Sequence, residues 1–258
     1  MRFKVLGSGS KGNATLLHTK SLTLLIDAGL PVRALNALIS DTHLTIDAIL
    51  ITHEHADHSK ALKSLIKNTN IPVYLTEKTK DALNLDHSNL HYLTPYQPFY
   101  LRDLRIMPFS TRHDAVDPVG FIFQMDALKL IYMVDTGYVP EVDAPLFHNA
   151  TGYIIESNYD VKRLFDSKRP YHLKKRIDSP TGHLSNHDAS YHLSQWMGAN
   201  TKVVCFAHPS EDCNSDELIL NTFKDTLKSF NIRLTPVQTL IATQTALDWV
   251  DLKEKADA

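Results

Sequence analysis

Residues 53–58 read His-Glu-His-Ala-Asp-His, which places three histidines and one aspartate within six positions. Imidazole and carboxylate groups together bind zinc, manganese or iron(II), whereas a purely structural zinc site usually includes thiolates. His53 and His55 project to one side of an extended segment and can bind one ion. Asp57 and His58 begin the helix that follows and can face a second ion. Because two ions about 3.5–4 Å apart generate hydroxide and hold a phosphoryl or acyl oxygen, the pattern predicts a dinuclear hydrolytic centre.

The apolar run at 49–52 predicts a strand that ends at this group. Similar runs predict further strands at 3–6, 14–17, 22–26, 73–75, 104–108, 120–125, 130–134, 153–156 and 203–207, with a closing strand at 239–250. Capping residues and helical spacing of apolar residues predict helices at 31–40, 60–67, 77–83, 185–197 and 215–230. Strands and helices mixed throughout, without a linker or repeat, predict an α/β fold. We expect a single domain over residues 1–258, with two sheets between outer helices.

The composition is that of a globular protein, with 43% hydrophobic and 22% charged residues. A net charge of −2 provides no global field that would attract nucleic acid, so any anion site must be local. No segment resembles a signal peptide or reaches the roughly 18 apolar residues of a membrane helix, so we expect a cytoplasmic protein without a membrane partner. Cys205 lies in an apolar run and is predicted to be a buried structural thiol, whereas the role of Cys213 is left open.

The spacing His-x-His-x-Asp-His resembles the signature of the metallo-β-lactamase superfamily. This resemblance implies a four-layer αβ/βα sandwich and further metal ligands at strand ends. His113, Asp135 and His208 match those ligands in order, with Asp135 as the bridging aspartate. Asp27 matches an early aspartate that supports the ligands from behind, and Thr52 is placed with it in that supporting role.

Longer strings are similar to the WalJ/YycJ branch of this superfamily, and the resemblance covers nearly the whole chain. They are Gly-Ser-Gly-Ser-Lys-Gly-Asn at 7–13, His-Asp-Ala-Val-Asp-Pro-Val-Gly at 113–120, Glu-Ser-Asn-Tyr-Asp at 156–160 and Gly-His-Leu-Ser-Asn at 182–186. Members of this branch are bacterial cytoplasmic proteins regarded as DNA exonucleases. They are related in turn to tRNA 3′-processing endonucleases and to phosphodiesterases for cyclic phosphates.

The same resemblance implies the catalytic residues. A Gly-His-Ser-like motif of the relatives supplies a histidine that binds no metal and lies beside the scissile phosphate, and His183 occupies that position. We expect His183 to act as the general acid, oriented by Glu156, and Asp57 to take part in catalysis as well as metal binding. The chain departs from the branch after His208. Members of the branch commonly have leucine after this histidine and then a pair of asparagines, whereas this chain has Pro209 in place of the leucine and Cys213 in place of one asparagine. The ligand is retained, whereas the loop that follows it differs from that of the branch.

The segment from Val161 to Ile177 carries seven cations and one acid, Asp166. We expect such a cluster to hold a phosphate backbone, although an ordinary solvated helix and loop would have the same composition. The turn at 7–13 could present N–H groups to phosphate or be a plain tight turn. The residues predicted to contact substrate are Ser10, Asn13, Lys174, Lys175, Arg176 and Asn186.

The sequence therefore predicts a metal-dependent phosphodiesterase that acts on nucleic acid, with two divalent ions per chain, either zinc or manganese or else iron. Attack on phosphorus by a metal-bound hydroxide is the expected chemistry. DNA is preferred over RNA, and exonuclease activity is expected, only through the family resemblance. One alternative is a hydrolase of small phosphodiesters or thioesters. Another is a metal-binding interaction protein without turnover.

Overall fold

A computed structural model of the protein describes residues 1–67, 69–232 and 237–252. The strands in this part of the chain are β1 (Arg2–Gly7), β2 (Ala14–His18), β3 (Thr23–Ile26), β4 (Ala48–Leu50), β5 (Val73–Leu75), β6 (Leu90–Tyr92), β7 (Phe99–Leu101), β8 (Leu104–Ser110), β9 (Val119–Met125), β10 (Leu128–Met133), β11 (Gly152–Glu156), β12 (Val203–Ala207), β13 (Gln238–Ile241) and β14 (Val250–Asp251). The helices are α1 (Val32–Ser40), α2 (Ala56–Ser59), α3 (Leu62–Ile66), α4 (Glu77–Ala82), α5 (Ala144–Phe147), α6 (Val161–Asp166), α7 (Tyr171–Ile177), α8 (Asn186–Trp196) and α9 (Asp216–Ser229), with a 3₁₀ turn at Glu141–Asp143.

The first sheet has the order β14-β1-β2-β3-β4-β5-β6. Strands β1, β2 and β3 pair antiparallel, and β3 to β6 run parallel. Every residue of β3 and β4 is buried, as is usual for parallel strands that are covered on both faces. Leu35 of α1 and Leu62 of α3 pack in the core of this sheet beside Leu25 and Ile49.

The second sheet has the order β13-β12-β11-β10-β9-β8-β7. Strands β7, β8 and β9 pair antiparallel, whereas β10 to β13 run parallel. The registers of Met133 with Ile155 and of Glu156 with Ala207 bring the carboxyl ends of β10, β11 and β12 to one edge. In α/β sheets this edge is where ligands bind.

The described residues fall into two compact units. The first unit comprises Met1–Ser110, Ala115–Leu128 and the described residues from Ala242 onward. The second unit comprises Thr111–Asp114 and the described residues of Lys129–Ile241. The expectation of a single domain over the whole chain stays a prediction.

Most predicted elements lie within a few residues of the observed ones, and the α/β class with two mixed sheets and flanking helices is confirmed. The closing strand predicted at 239–250 is wrong, because its two ends pair in different sheets as β13 and β14. The short strands β6 and β7 and the helices α5 to α7 were not predicted as separate elements. These two strands are only three residues long, and their residues are half-buried or exposed, so neither gives the longer buried apolar run that predicted most of the other strands. No helix in the described ranges is long and apolar enough to cross a membrane.

Candidate metal centre

In the first unit, a buried carboxylate orients the histidine that ends the predicted metal motif. Asp27 follows β3 and Thr52 lies just beyond β4, so the parallel pairing of these strands brings both to one edge. Thr52 donates its backbone N–H to Asp27 Oδ1 at 2.9 Å, and its hydroxyl lies 3.0 Å from each carboxylate oxygen. His58 Nδ1 lies 2.7 Å from Asp27 Oδ2. Because a carboxylate only accepts, Nδ1 carries the proton, and Nε2 is the nitrogen with a lone pair, which is the form of the ring that binds a metal ion.

The three histidines of the motif lie close together. The one hydroxyl hydrogen of Thr52 is directed to Asp27, so its oxygen can accept from His53 Nδ1, 3.0 Å away. The ring centroid of His53 lies 4.7 Å from that of His55 and 4.2 Å from that of His58. His55 stands at the start of α2, where the extended chain turns into a helix. The change from strand to helix therefore gathers imidazoles from both segments, as the sequence predicted.

The turn before β2 packs against the same motif. Asn13 donates its backbone N–H to Asp57 O at 2.7 Å, and its Nδ2 lies 3.0 Å from His58 Nε2 and 3.5 Å from Asp57 Oδ2. Gly29 is needed nearby because a Cβ there would lie 1.6 Å from Asp57 O. Of the predicted substrate contacts in this turn, Ser10 is exposed, whereas Asn13 is buried against side chains predicted as metal ligands. Asn13 therefore positions this motif.

The second unit contains its own group of side chains of the types that bind metal ions. The group lies at the carboxyl ends of β10, β11 and β12 and in the loop before α8. Each member offers one ligand atom, and these atoms lie within 4.8 Å of one another. The members are Asp135, Glu156, His183 and His208.

Glu156 is the centre of this group and is fully buried. Its Oε2 accepts backbone N–H groups from Thr136 at 3.0 Å and from Leu184 at 3.1 Å. Its Oε1 lies 2.7 Å from His183 Nδ1 and 3.2 Å from His208 Nδ1. Burial raises the pKa of Glu156, but the charge and hydrogen bonds of the two histidines outweigh it and hold the pKa below its ordinary value. Glu156 is therefore an anion that fixes both rings.

His183 and His208 differ in their access to solvent. The side chain of His183 is 19% exposed, whereas that of His208 is 3% exposed. Burial lowers the pKa of His183, but Glu156 and Asp135 outweigh this effect and raise the pKa to about 10. His183 is therefore protonated at neutral pH and reachable by a solute. The buried position of His208 after β12 suits a metal ligand.

His113 precedes β9 and is also buried. Its Nδ1 lies 2.9 Å from Gly182 O, so Nδ1 donates and Nε2 keeps its lone pair. Nε2 lies 3.4 Å from Asp114 Oδ1 and 4.0 Å from Asp135 Oδ2. Burial lowers the pKa of His113 despite the opposing charge of Asp135, which favours the neutral ring that metals bind. Gly182 allows this contact, because a Cβ there would lie 2.2 Å from Ile177 O.

Three of the residues assigned to these groups have left-handed backbone conformations. The φ angles are +61° for Asp27, +53° for Asp135 and +55° for His208. This region is uncommon for residues other than glycine, and such strain concentrates at functional sites. Each residue lies just beyond a strand, so its left-handed conformation ends the extended course of the backbone there.

Comparison with known proteins places the chain in a family. The family described as beta-lactamase superfamily domain matches residues 23–204. The chain is 35% identical to exodeoxyribonuclease WalJ of Streptococcus pneumoniae over 84% of this chain and 84% of that protein. It is also 35% identical to exodeoxyribonuclease YycJ of Bacillus anthracis, over 84% of this chain and 86% of that protein. The chain belongs to the metallo-β-lactamase superfamily.

Solved structures of superfamily proteins agree with this assignment. The metallo-β-lactamase fold protein YhfI of Bacillus subtilis has a TM-score of 0.70 at 16% identity and covers 96% of this chain and 99% of its own. The short form of human tRNase Z has a TM-score of 0.65 at 16% identity, with coverage of 96% and 99%. At this identity the likeness shows the fold alone, and it confirms the sandwich implied by the sequence. The prediction of a metallo-hydrolase is confirmed by the family and by the relatives of higher identity.

The side chains present fit the divalent ions that this superfamily uses. The donors in both units are imidazole nitrogens and carboxylate oxygens, which suit zinc, manganese and iron(II). Both cysteines are buried apart from these donors. Burial raises the pKa of Cys205 to about 12, as expected for a structural thiol. Cys213, whose role the sequence left open, packs with Tyr159, Leu164 and Ile177 in a small core cluster.

A network of asparagines that sequence reasoning missed supports the loops of the second unit. Asn158 Nδ2 donates to His208 O at 2.8 Å and so fixes the backbone after β12. Asn186 Oδ1 accepts from Ser157 Oγ at 2.7 Å and from Asn214 Nδ2 at 2.8 Å. Asn186 was predicted to contact substrate, but it is buried and its amide is engaged with these partners. We therefore assign it to loop positioning. The strings at 156–160 and 182–186, which resemble the WalJ/YycJ branch, contain Asn158 and Asn186 and were the signal for those two residues.

The cations of the basic segment at 161–177 differ in their exposure to solvent. Lys174 is buried, and its ammonium donates to Phe165 O and Ser167 O, each at 2.6 Å. This side chain holds α6 and α7 together, which corrects its prediction as a phosphate contact. Arg176 is exposed and pairs with Asp114, and Lys175 is exposed.

Proposed function

We propose that this chain is a metal-dependent phosphodiesterase that acts on nucleic acid, as a DNA exonuclease. The observation that carries the proposal is the 2.7 Å contact between His183 Nδ1 and Glu156 Oε1 beside Asp135 and His208. It provides a protonated, partly exposed imidazole next to side chains that suit metal binding. The relatives at 35% identity are named exodeoxyribonucleases, which favours DNA over RNA and over small diesters. We place this activity in the cytoplasm, as the resemblance to the cytoplasmic proteins of the WalJ/YycJ branch implies.

The proposed centre holds two divalent ions, zinc or manganese or else iron. When bound, such a pair lowers the pKa of water and neutralises charge on the phosphoryl oxygens. His53 and His55 are assigned to the first ion, and Asp57 and His58 to the second. The proposed set, with the three strand-end ligands included, is His53, His55, Asp57, His58, His113, Asp135 and His208.

His183 is proposed to donate a proton to the leaving oxygen of the cleaved phosphodiester. Glu156 holds the proton on Nδ1, so the opposite nitrogen, Nε2, is the one that faces a substrate. The carboxylate also stabilises the imidazolium form, which keeps the second proton on Nε2 at neutral pH. After the leaving group departs, the neutral ring regains a proton from solvent, to which it is partly exposed.

The proposal is tested by incubating the metal-reconstituted protein with end-labelled DNA, end-labelled RNA and bis-p-nitrophenyl phosphate. We expect progressive release of nucleotides from DNA that stops on chelation and resumes when metal is restored. Turnover of the chromogenic diester alone would contradict nucleic-acid hydrolysis and favour a small-molecule phosphodiesterase. Bound metal without turnover of any substrate would contradict an enzyme and favour a metal-binding interaction protein.

A further inference from the structure

The second unit contains a cleft of about 570 Å³ that none of the proposed chemistry uses. It lies between the segment 137–148 and one face of α8. Its volume is in the range of small-molecule sites, about 300–1,000 Å³. Two of its lining residues adjoin the Glu156 network, because Leu184 follows His183 and Gly137 follows Thr136. The cleft therefore borders the chain segment that carries the proposed general acid.

Aromatic rings give this cleft flat apolar surfaces. Tyr138 and Tyr191 line it and are 50% and 44% exposed, so both rings can be reached by a ligand. His192 stacks on Trp196 with centroids 4.8 Å apart and an angle of 17° between the ring planes. Planar heteroaromatic groups stack on such rings, and nucleic-acid-binding proteins use this contact for bases.

The charges of the cleft favour a base over a phosphate. Glu141 and Asp188 line it, and no lysine or arginine is among its described lining residues. Burial lowers the pKa of His192 despite the charge of Asp188, so this ring adds no positive charge at neutral pH. Carboxylates repel phosphate but accept hydrogen bonds from the amino groups of cytosine, adenine and guanine. Gln195 supplies both a donor and an acceptor at the same surface.

We propose that this cleft binds the base of the nucleotide that is being released, while the phosphate of that nucleotide lies at His183. The inference rests on the proposed function, since it names a subsite for the same substrate. It assigns Tyr138 and Tyr191 as stacking residues and Glu141 and Asp188 as acceptors for the base edge. The cleft would then hold the end of the strand in place for cleavage.

The first test compares DNA strands whose terminal residue is either a normal nucleotide or an abasic tetrahydrofuran. Stacking on one aromatic side chain predicts that the wild-type protein releases the abasic residue about tenfold more slowly in kcat/KM. Tyr191→Ala and Tyr138→Ala should each remove most of this difference, whereas Tyr191→Phe should keep it. Tyr100→Ala is the matched control, because Tyr100 is an exposed tyrosine of β7 that does not line the cleft. Equal rates on the two strands in the wild-type protein would overturn the proposal.

The second test needs no nuclease activity and so separates the two proposals. The chain has two tryptophans, and Trp196 lines the cleft. In a Trp249→Phe background, adenosine should quench the fluorescence of Trp196 saturably, and Tyr191→Ala should weaken that binding. Saturable binding in a protein that cleaves no DNA would support the cleft while the proposed function fails. Cleavage of DNA without adenosine binding and without discrimination against the abasic end would overturn the cleft alone.

Discussion

Each unit contains a carboxylate–imidazole contact of 2.7 Å, and the two pairs differ in the exposure of the imidazole. Asp27 Oδ2 lies 2.7 Å from His58 Nδ1 in the first unit. Glu156 Oε1 lies 2.7 Å from His183 Nδ1 in the second. Both carboxylates are fully buried. The side chain of His58 is fully buried as well, whereas that of His183 is 19% exposed.

The surroundings of the two carboxylates are built in the same way. Asp27 accepts the backbone N–H of Thr52, and Glu156 accepts that of Thr136. Each donor lies just beyond a strand parallel to the one that carries the carboxylate. The proton on Nδ1 is thus fixed alike in both pairs, and the exposure of the side chain separates a proposed ligand from a proposed acid.

The largest expected effect is on the rate of DNA cleavage and concerns His183, the proposed acid. His183→Ala should lower kcat on DNA by roughly 10²–10⁴, the usual contribution of a positioned acid. The loss should be smaller on bis-p-nitrophenyl phosphate, whose leaving group departs without a proton. His187→Ala, an exposed histidine on α8, is the matched control and should retain activity. An equal loss on both substrates would mean that His183 does not act as a proton donor.

Asp27→Asn tests the other pair. Asparagine can still accept from His58 Nδ1, but without a negative charge it makes the ring a poorer donor to metal. Loss of such a supporting partner typically weakens metal affinity by about 10–100-fold, and we expect that range in competition with a chelator. Asp47→Asn, a change of the same chemistry in the same unit, should leave the affinity unaltered. An unchanged metal affinity in Asp27→Asn would mean that the Asp27–His58 pair does not support a metal ligand.

Glu156→Gln tests the pair of Glu156 and His183 through the pH dependence of DNA cleavage. Burial lowers the pKa of His183, but Glu156 and Asp135 raise it to about 10. A raised pKa keeps the acid protonated below that value, so DNA cleavage should fall as pH rises through it. Removing the charge of Glu156 should move this descending limb to lower pH in the kcat profile. A limb that does not move would show that another group controls it.

The smallest effect concerns the basic segment. Lys175→Ala should lower the slope of DNA affinity against salt by about one unit if this exposed cation contacts a phosphate. Lys174→Ala is the informative partner, because its ammonium binds Phe165 O and Ser167 O. That variant should lower the melting temperature and leave the salt slope unchanged. A lower salt slope with an unchanged melting temperature would instead mean that Lys174 contacts a phosphate.

The two units also differ in how much of them the sequence predicted. The motif at 53–58 is contiguous, so residue types and spacing were enough to predict that its histidines gather. Asp135 and His208 are far apart in the chain, and only the order of strand-end ligands in the family pointed to them. Their proximity depends on the parallel register of β10, β11 and β12, which a single sequence does not encode locally.

Other features of the site depend on tertiary structure alone. The residue type of Asp27 is too weak a signal for its left-handed conformation, because aspartate tolerates this conformation without requiring it. Lys174 was counted with its charged neighbours because composition cannot distinguish a buried ammonium from an exposed one. The carbonyls that bind it come from the end of α6 and the turn after it, which meet α7 only in the folded chain.

Metal content tests the central claim most directly, which is that His183 acts on the substrate while His208 binds metal. Purified His183→Ala and His208→Ala would be reconstituted in parallel and analysed for bound zinc, manganese and iron, with circular dichroism to confirm folding. We expect His183→Ala to retain the metal content of the wild-type protein. His208→Ala should bind less metal and regain part of its activity in excess metal. Loss of an ion from His183→Ala together with full occupancy in His208→Ala would contradict the account.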